Sequence, residues 1–189
     1  NIPAFTYGSN TTGSDIIGVA TVTATEGGCV SSVMSFTLTL KAEPVPANVP
    51  NIVVCAGDAV STTFTANTGG GEVFSWTNSN PLIGLPASGV GNLAFNAAGN
   101  TTGGNIVSTI IVLGTKNGCT TTVANQETFT ITLQPTPVVV QQSNLSSCPG
   151  SGQGQIDFTS NTDPGTSYSW SVTNFAALGL GSGSDVTDN

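Results

Sequence analysis

Phe129-Thr130-Ile131-Thr132-Leu133 alternates large apolar residues with threonine, and Phe36-Thr37-Leu38-Thr39-Leu40 does the same earlier in the chain. Successive side chains of a strand point to opposite faces, so apolar residues at period two mark a half-buried antiparallel strand. Outward from these stretches the same signal recurs. Val73-Phe74-Ser75-Trp76 and Ser167-Tyr168-Ser169-Trp170 each set an aromatic pair on one strand face, and residues 106–113 form a β-branched run matched by 16–23. Threonine, valine and isoleucine suit pleated, partly buried surfaces. Asn67-Thr68-Gly69-Gly70-Gly71 and Lys116-Asn117-Gly118 supply turn chemistry between the runs. No stretch combines helix caps with a 3.6-residue period. Short strands at regular spacing, broken by turns, predict an all-β sandwich.

The strands belong to a repeat. Residues 2–29 lie on 92–119 without a gap, and Ala4, Phe5, Asn10, Thr11, Thr12, Gly13, Ile16, Val22, Thr25, Gly28 and Cys29 meet identical residues. In a second block Cys55, Gly57, Phe64, Thr65, Asn67, Thr68, Ser75 and Trp76 meet Cys148, Gly150, Phe158, Thr159, Asn161, Thr162, Ser169 and Trp170. A fixed period of about 91 to 94 residues signals tandem units. Pro44-Val45-Pro46 and Pro135-Thr136-Pro137 follow the alternating strands. Proline cannot donate to a central ladder, so Pro44, Pro46, Pro135 and Pro137 are expected to be stiff, extended linkers. The expected organisation is the back half of one unit at 1–46, a complete unit at 47–137 and the front half of the next at 138–189.

Composition narrows the function. The chain has 189 residues and a formal charge of −8; only 6% of its residues are charged, two of them basic, and it has no histidine, yet 38% are hydrophobic. That hydrophobicity excludes the usual signature of disorder. The lack of clustered Lys and Arg argues against nucleic acid and against docking on anionic lipid, and no run reaches the length of a membrane span. Without histidine, a Ser–His or Cys–His nucleophile is excluded within this chain. Asp157 and Asp163, the nearest approach to a glycosidase pair, correspond to Thr63 and Gly69 in the preceding repeat, so they read as solvated surface.

Four cysteines recur in register with no Cys-x-x-Cys pair. Disulfides in an extracellular setting fit that pattern better than a metal site. If 120–133 is mostly extended it spans on the order of 45 Å, which separates Cys119 from Cys148 by far more than the roughly 7 Å a disulfide tolerates between Cα atoms. With Cys55 and Cys119 both placed beside the linker that opens the unit, a Cys55–Cys119 bridge is predicted, and Cys29 and Cys148 pair outside this window. The alternative is Cys29–Cys55 with Cys119–Cys148, which phases the units differently.

Val-x-x-Cys-x-Gly near the start of a unit, a Phe-Ser-Trp or Tyr-Ser-Trp strand, Asn-Gly-Cys before the last strand and a closing Phe-Thr-Ile-Thr-Leu-Gln-Pro-Thr-Pro form an ordered set. This set resembles the PKD-like, immunoglobulin-like repeats of very large cell-surface adhesins of Bacteroidetes, the gliding-motility type exported by type IX secretion. The resemblance implies a β-sandwich repeat displayed outside the cell, engaged in adhesion or motility. Gly27-Gly28 replaces the Asn-Gly turn, and Lys41-Ala42-Glu43 lengthens the first linker.

Other candidate sites are modest. Trp76 and Trp170 share strand faces with Phe74 and Tyr168 and are expected in cores rather than as sugar platforms. Glu43 and Asp185-Val186-Thr187-Asp188 are the candidates for calcium at joints, without a calcium-loop motif. Asn10, Asn100 and Asn144 begin Asn-x-Ser/Thr sequons. The expected role is a disulfide-stapled stalk with no catalytic residue or cofactor. Its partners are neighbouring repeats, with surface glycans or solid surfaces as targets. The alternative is a filament subunit whose halves complete one another head to tail, Cys148 bonding Cys29 of the next copy.

Overall fold

The structure, a computed structural model, describes residues 2–174 and 177–179, with the backbone of 186 and 187. Strands make up its regular structure, with two short 3-10 turns and no α-helix among the described residues. The first segment holds β1 (Ile16–Val22), β2 (Thr25–Glu26), β3 (Cys29–Val30) and β4 (Met34–Leu40). The middle segment holds β5 (Ile52–Val54), β6 (Ala59–Thr62), β7 (Val73–Asn78), β8 (Ser88–Val90), β9 (Leu93–Asn96), β10 (Ile106–Lys116), β11 (Cys119–Thr120) and β12 (Glu127–Leu133). In the last segment lie β13 (Ser167–Tyr168) and β14 (Val186–Thr187).

In the middle segment one sheet runs β5-β12-β10-β7-β8, and β6 pairs with β9 in a second. The ladders are antiparallel except β5 with β12, which is parallel, Ile52 opposite Ile131 and Val54 opposite Leu133. Period-two patterning decides what faces inward. Phe129, Ile131 and Leu133 of β12 are buried, as are Ile110 and Val112 of β10 and Phe74 and Trp76 of β7. They pack with Phe64, Ile83, Leu85 and Leu93 in one apolar cluster. Burying each such side chain contributes about 1.5–3 kcal/mol. Asn117 and Gly118 both adopt positive φ, +51° and +83°, which gives the β10–β11 hairpin the turn its right-handed twist favours.

The first segment repeats part of this pattern. β1 pairs with β4 from Ile16 opposite Leu40 to Val22 opposite Met34, and β10 pairs with β12 from Ile106 opposite Leu133 to Val112 opposite Glu127. The β2–β3 hairpin likewise sets Glu26 opposite Cys29, as β10 and β11 set Lys116 opposite Cys119. Gly27 and Gly28 supply the two positive φ angles, so the departure from Asn-Gly leaves the turn unchanged. With no strands covering this pair among the described residues, Val22 and Phe36 are exposed, whereas their counterparts Val112 and Phe129 are buried. In the last segment Phe158 packs on Tyr168 with ring centroids 5.9 Å apart, just as Phe64 packs on Phe74 at 5.7 Å.

The expected Cys55–Cys119 bridge is absent, since all four cysteines are free. The reason is strand direction. Residues 47–51 lead away from the first proline stretch, and β5 then runs parallel to β12, carrying Cys55 to the end where β12 finishes. Cys119 lies at the opposite end of β10, facing Lys116. The ten residue steps from Ile106 to Lys116 separate those ends by roughly 33 Å. The alternative pairings, Cys29–Cys55 and Cys119–Cys148, are not formed either.

Candidate functional site

The feature with the most specific chemistry is the joint between segments, and it occurs twice. At the first joint Asn67 donates from Nδ2 to the Thr11 carbonyl at 2.9 Å and accepts at Oδ1 from the Val45 N–H at 2.7 Å. At the second, Asn161 donates to the Thr101 carbonyl at 3.1 Å and accepts from the Val138 N–H at 2.7 Å. Backbone bonds repeat as well: Asn67 N–H to Val45 O and Ala47 N–H to Thr65 O are matched by Asn161 to Val138 and Val140 to Thr159. An isolated bridge joins Pro46 to Ala66, and another joins Val139 to Ser160.

A glycine closes each joint. Gly13 has φ +87° and a Cβ there would stand 2.5 Å from the Asn67 carbonyl oxygen; Gly103 has φ +83° and its Cβ would stand 2.3 Å from that of Asn161. Both conformation and space therefore require glycine. Behind each glycine a buried asparagine holds the loop. Asn10 Nδ2 donates to Ser14 O and Leu40 O, and Asn100 Nδ2 donates to Gly104 O and Leu133 O. Thr12 and Thr102 donate to their Oδ1 atoms at 2.7 Å. Asn10 and Asn100 are thus structural amides in use on both sides, not open sequons.

The first joint carries more. Both lysines of the chain are there: Lys41 donates to the Asn117 carbonyl at 2.7 Å, and Lys116 donates to Thr68 O and lies 3.6 Å from Glu72. Glu43 is buried and accepts from the Thr122 N–H at 2.6 Å and from Asn125 at 3.0 Å. Burial pushes its carboxyl up, but these hydrogen bonds outweigh burial and hold it below the ordinary glutamate value. Glu72 is lowered in the same way, burial opposed by the Thr68 hydroxyl, the backbone N–H groups of Glu72 and Gly70, and the Lys116 charge. Glu43 is spoken for by two donors, which leaves its calcium reading without support from geometry. Asp185 and Asp188 lie outside the described residues.

Pro44 is no solvated spacer. It is fully buried, its carbonyl accepts from the Thr121 hydroxyl at 2.6 Å, and it lies against Gly114. Pro137, its counterpart, is exposed. There a groove opens, lined by Cys55, Gln134, Pro135, Pro137, Thr162 and Thr166.

Trp76 is buried in the middle core with its Nε1 unpartnered, while Trp170 is half-buried. Neither makes an open sugar platform in this arrangement. Sequence reading missed Gly13, Gly103, Asn67 and Asn161 as joint residues, although all four were among the positions that matched between repeats.

Comparison with protein-family models, with curated proteins and with solved structures finds no match to this chain.

Proposed function

We propose that the chain is a structural, adhesive repeat segment of a secreted cell-surface protein, a stalk of tandem immunoglobulin-like units without catalytic residues. The observation that carries this reading is the joint at Asn67 and again at Asn161, with the same partners. A linker that only connects would be solvated and variable. A joint that repeats the same asparagine, glycine and backbone bonds fixes the angle between successive units, which is what a long display rod needs. The strand order β5-β12-β10-β7-β8 opposite β6-β9, with a buried tryptophan on β7, supports an immunoglobulin-like unit. In such a rod the partners are the neighbouring repeats, and surface glycans or solid surfaces are met through many weak contacts that sum by avidity.

A second reading, a filament subunit, is favoured by the exposed inner faces of the end segments. Residues 1–46 contribute a β1–β4 pair in the register of β10–β12, and 138–189 match the front part of the middle unit in sequence, Cys148, Phe158 and Asn161 standing for Cys55, Phe64 and Asn67.

The deciding measurement is the mass of the native protein under reducing, denaturing conditions, with antibody labelling of intact producing cells. Surface label on a species of hundreds of kilodaltons supports the stalk. A surface species of 18.8 kDa replaces it with the filament, and label confined to the cell interior overturns both.

A further inference from the structure

We infer that the cysteines are joint staples: Cys55 forms a disulfide across the joint with the hairpin cysteine of the following unit, the position held by Cys119 in the middle segment and by Cys29 in the first. The inference rests on the repeat reading given above.

Two independent placements lead to it. At the first joint, Lys41 follows β4 and touches Asn117, in the turn that precedes Cys119. Its counterpart after β12 is Gln134, because Leu40 and Leu133 occupy the same place in their ladders. Gln134 Oε1 lies 3.6 Å from Cys55 Sγ. One position therefore touches the cysteine of its own unit and the cysteine-bearing hairpin of the next.

The second placement comes from the other wall. Lys116, directly opposite Cys119, rests on Thr68 and Glu72. Their counterparts Thr162 and Thr166 line the same groove as Cys55. A hairpin seated on the last segment as β10–β11 sits on the middle one thus enters the groove that Cys55 borders. The hairpin at 25–30 has the matching register, with Cys29 opposite Glu26. Cys148, by contrast, sits in the same turn as Cys55, with Ser151 N–H on its carbonyl where Asp58 N–H meets that of Cys55. It is therefore carried to the next joint, so a Cys148–Cys29 bond within one filament contact is replaced by Cys55–Cys29.

The step is a thiol–disulfide exchange. Each Sγ loses its proton, an Sγ–Sγ bond forms, and the electron pair passes to an external disulfide such as glutathione disulfide, which leaves as two thiols.

The test uses the full chain and a circular permutant in which 1–46 follows residue 189, both incubated with glutathione disulfide. Trypsin cuts after Lys41 and Lys116, leaving Cys29 on 1–41, Cys55 on 42–116 and the other two cysteines on 117–189. In the full chain the expected product is 1–41 linked to 42–116 between molecules. A Cys119–Cys148 link within one molecule, or Cys55 bound to 117–189, overturns the inference, whereas 117–189 linked to 117–189 of another molecule is its second expected product, Cys148 meeting the hairpin Cys119 of the next copy. The permutant decides the case of a full chain that stays monomeric. With Cys119→Ser and Cys148→Ser, its two remaining thiols should both disappear and the unreduced band should migrate faster. If amide exchange shows 16–22 and 34–40 protected but both thiols persist, the staple is wrong and the repeat reading stands. If those strands stay unprotected, the repeat reading fails and takes the staple with it.

Discussion

Gly89 stands opposite Trp76 in the β7–β8 ladder, and a Cβ built on it would fall 2.2 Å from the indole Cζ2. The largest core side chain is therefore accommodated by the smallest residue on the neighbouring strand. Gly89→Ala is expected to destabilise by about 1–3 kcal/mol through overpacking. Trp76→Ala should cost about 3–5 kcal/mol through the cavity it leaves. Urea denaturation followed by far-UV circular dichroism measures both; an unchanged midpoint for Trp76→Ala would remove it from the core.

At the joints, Gly103→Ala meets a backbone carbonyl and an unfavourable φ together. More than about 1 kcal/mol of local stability should be lost, while the middle core, which does not include residue 103, keeps its melting temperature. Small-angle scattering is the readout. The wild type should give a narrow distribution of segment separations and the variant a broad one, and identical profiles would argue against a fixed joint.

Asn100 donates to two carbonyls and accepts from the N–H and hydroxyl of Thr102. Asn100→Ala should cost about 1–3 kcal/mol, the penalty for leaving buried partners unmade. Asn144→Ala, on an exposed stretch, should change stability by less than about 0.5 kcal/mol. Equal effects at the two sites would contradict the buried role.

Acid should weaken the fold through Glu43 and Glu72, with Asp163, lowered by the Ser160 N–H and the Tyr168 hydroxyl, adding to the effect in the last segment. A carboxyl whose folded pKa lies below its unfolded value, about 4.3 for glutamate, stabilises above that pH; the contribution is lost as pH falls through the folded value. Melting temperature should hold from neutrality to about pH 5 and drop below it. Glu43→Gln should start lower at neutral pH and fall less steeply in acid. A parallel curve would show that Glu43 carries none of the dependence.

Much of this was legible in the sequence because it depends on local patterning. Alternation in Phe129-Thr130-Ile131-Thr132-Leu133 gave the buried face of β12, and Asn117-Gly118 gave the hairpin turn. The position of Cys55 was not legible. Whether a short strand such as Ile52–Val54 pairs parallel or antiparallel to the last one is decided by tertiary packing, and that choice moves the cysteine from one end of the unit to the other. The joint was half legible: Gly13 and Gly103 matched between repeats, but their need for a close backbone approach emerges only when Asn67 and Asn161 are in place.

Strand direction has a mechanical consequence. The chain enters the middle segment at one end and leaves it from β12 at the other, while β5 lies alongside β12 and points the same way. Tension along the chain therefore slides β5 past β12 instead of peeling them apart. The ladder hydrogen bonds share the force at once, as in a lap joint, and none is loaded alone. A rod of such segments would resist pulling along its length far better than its slender β5–β12 contact suggests.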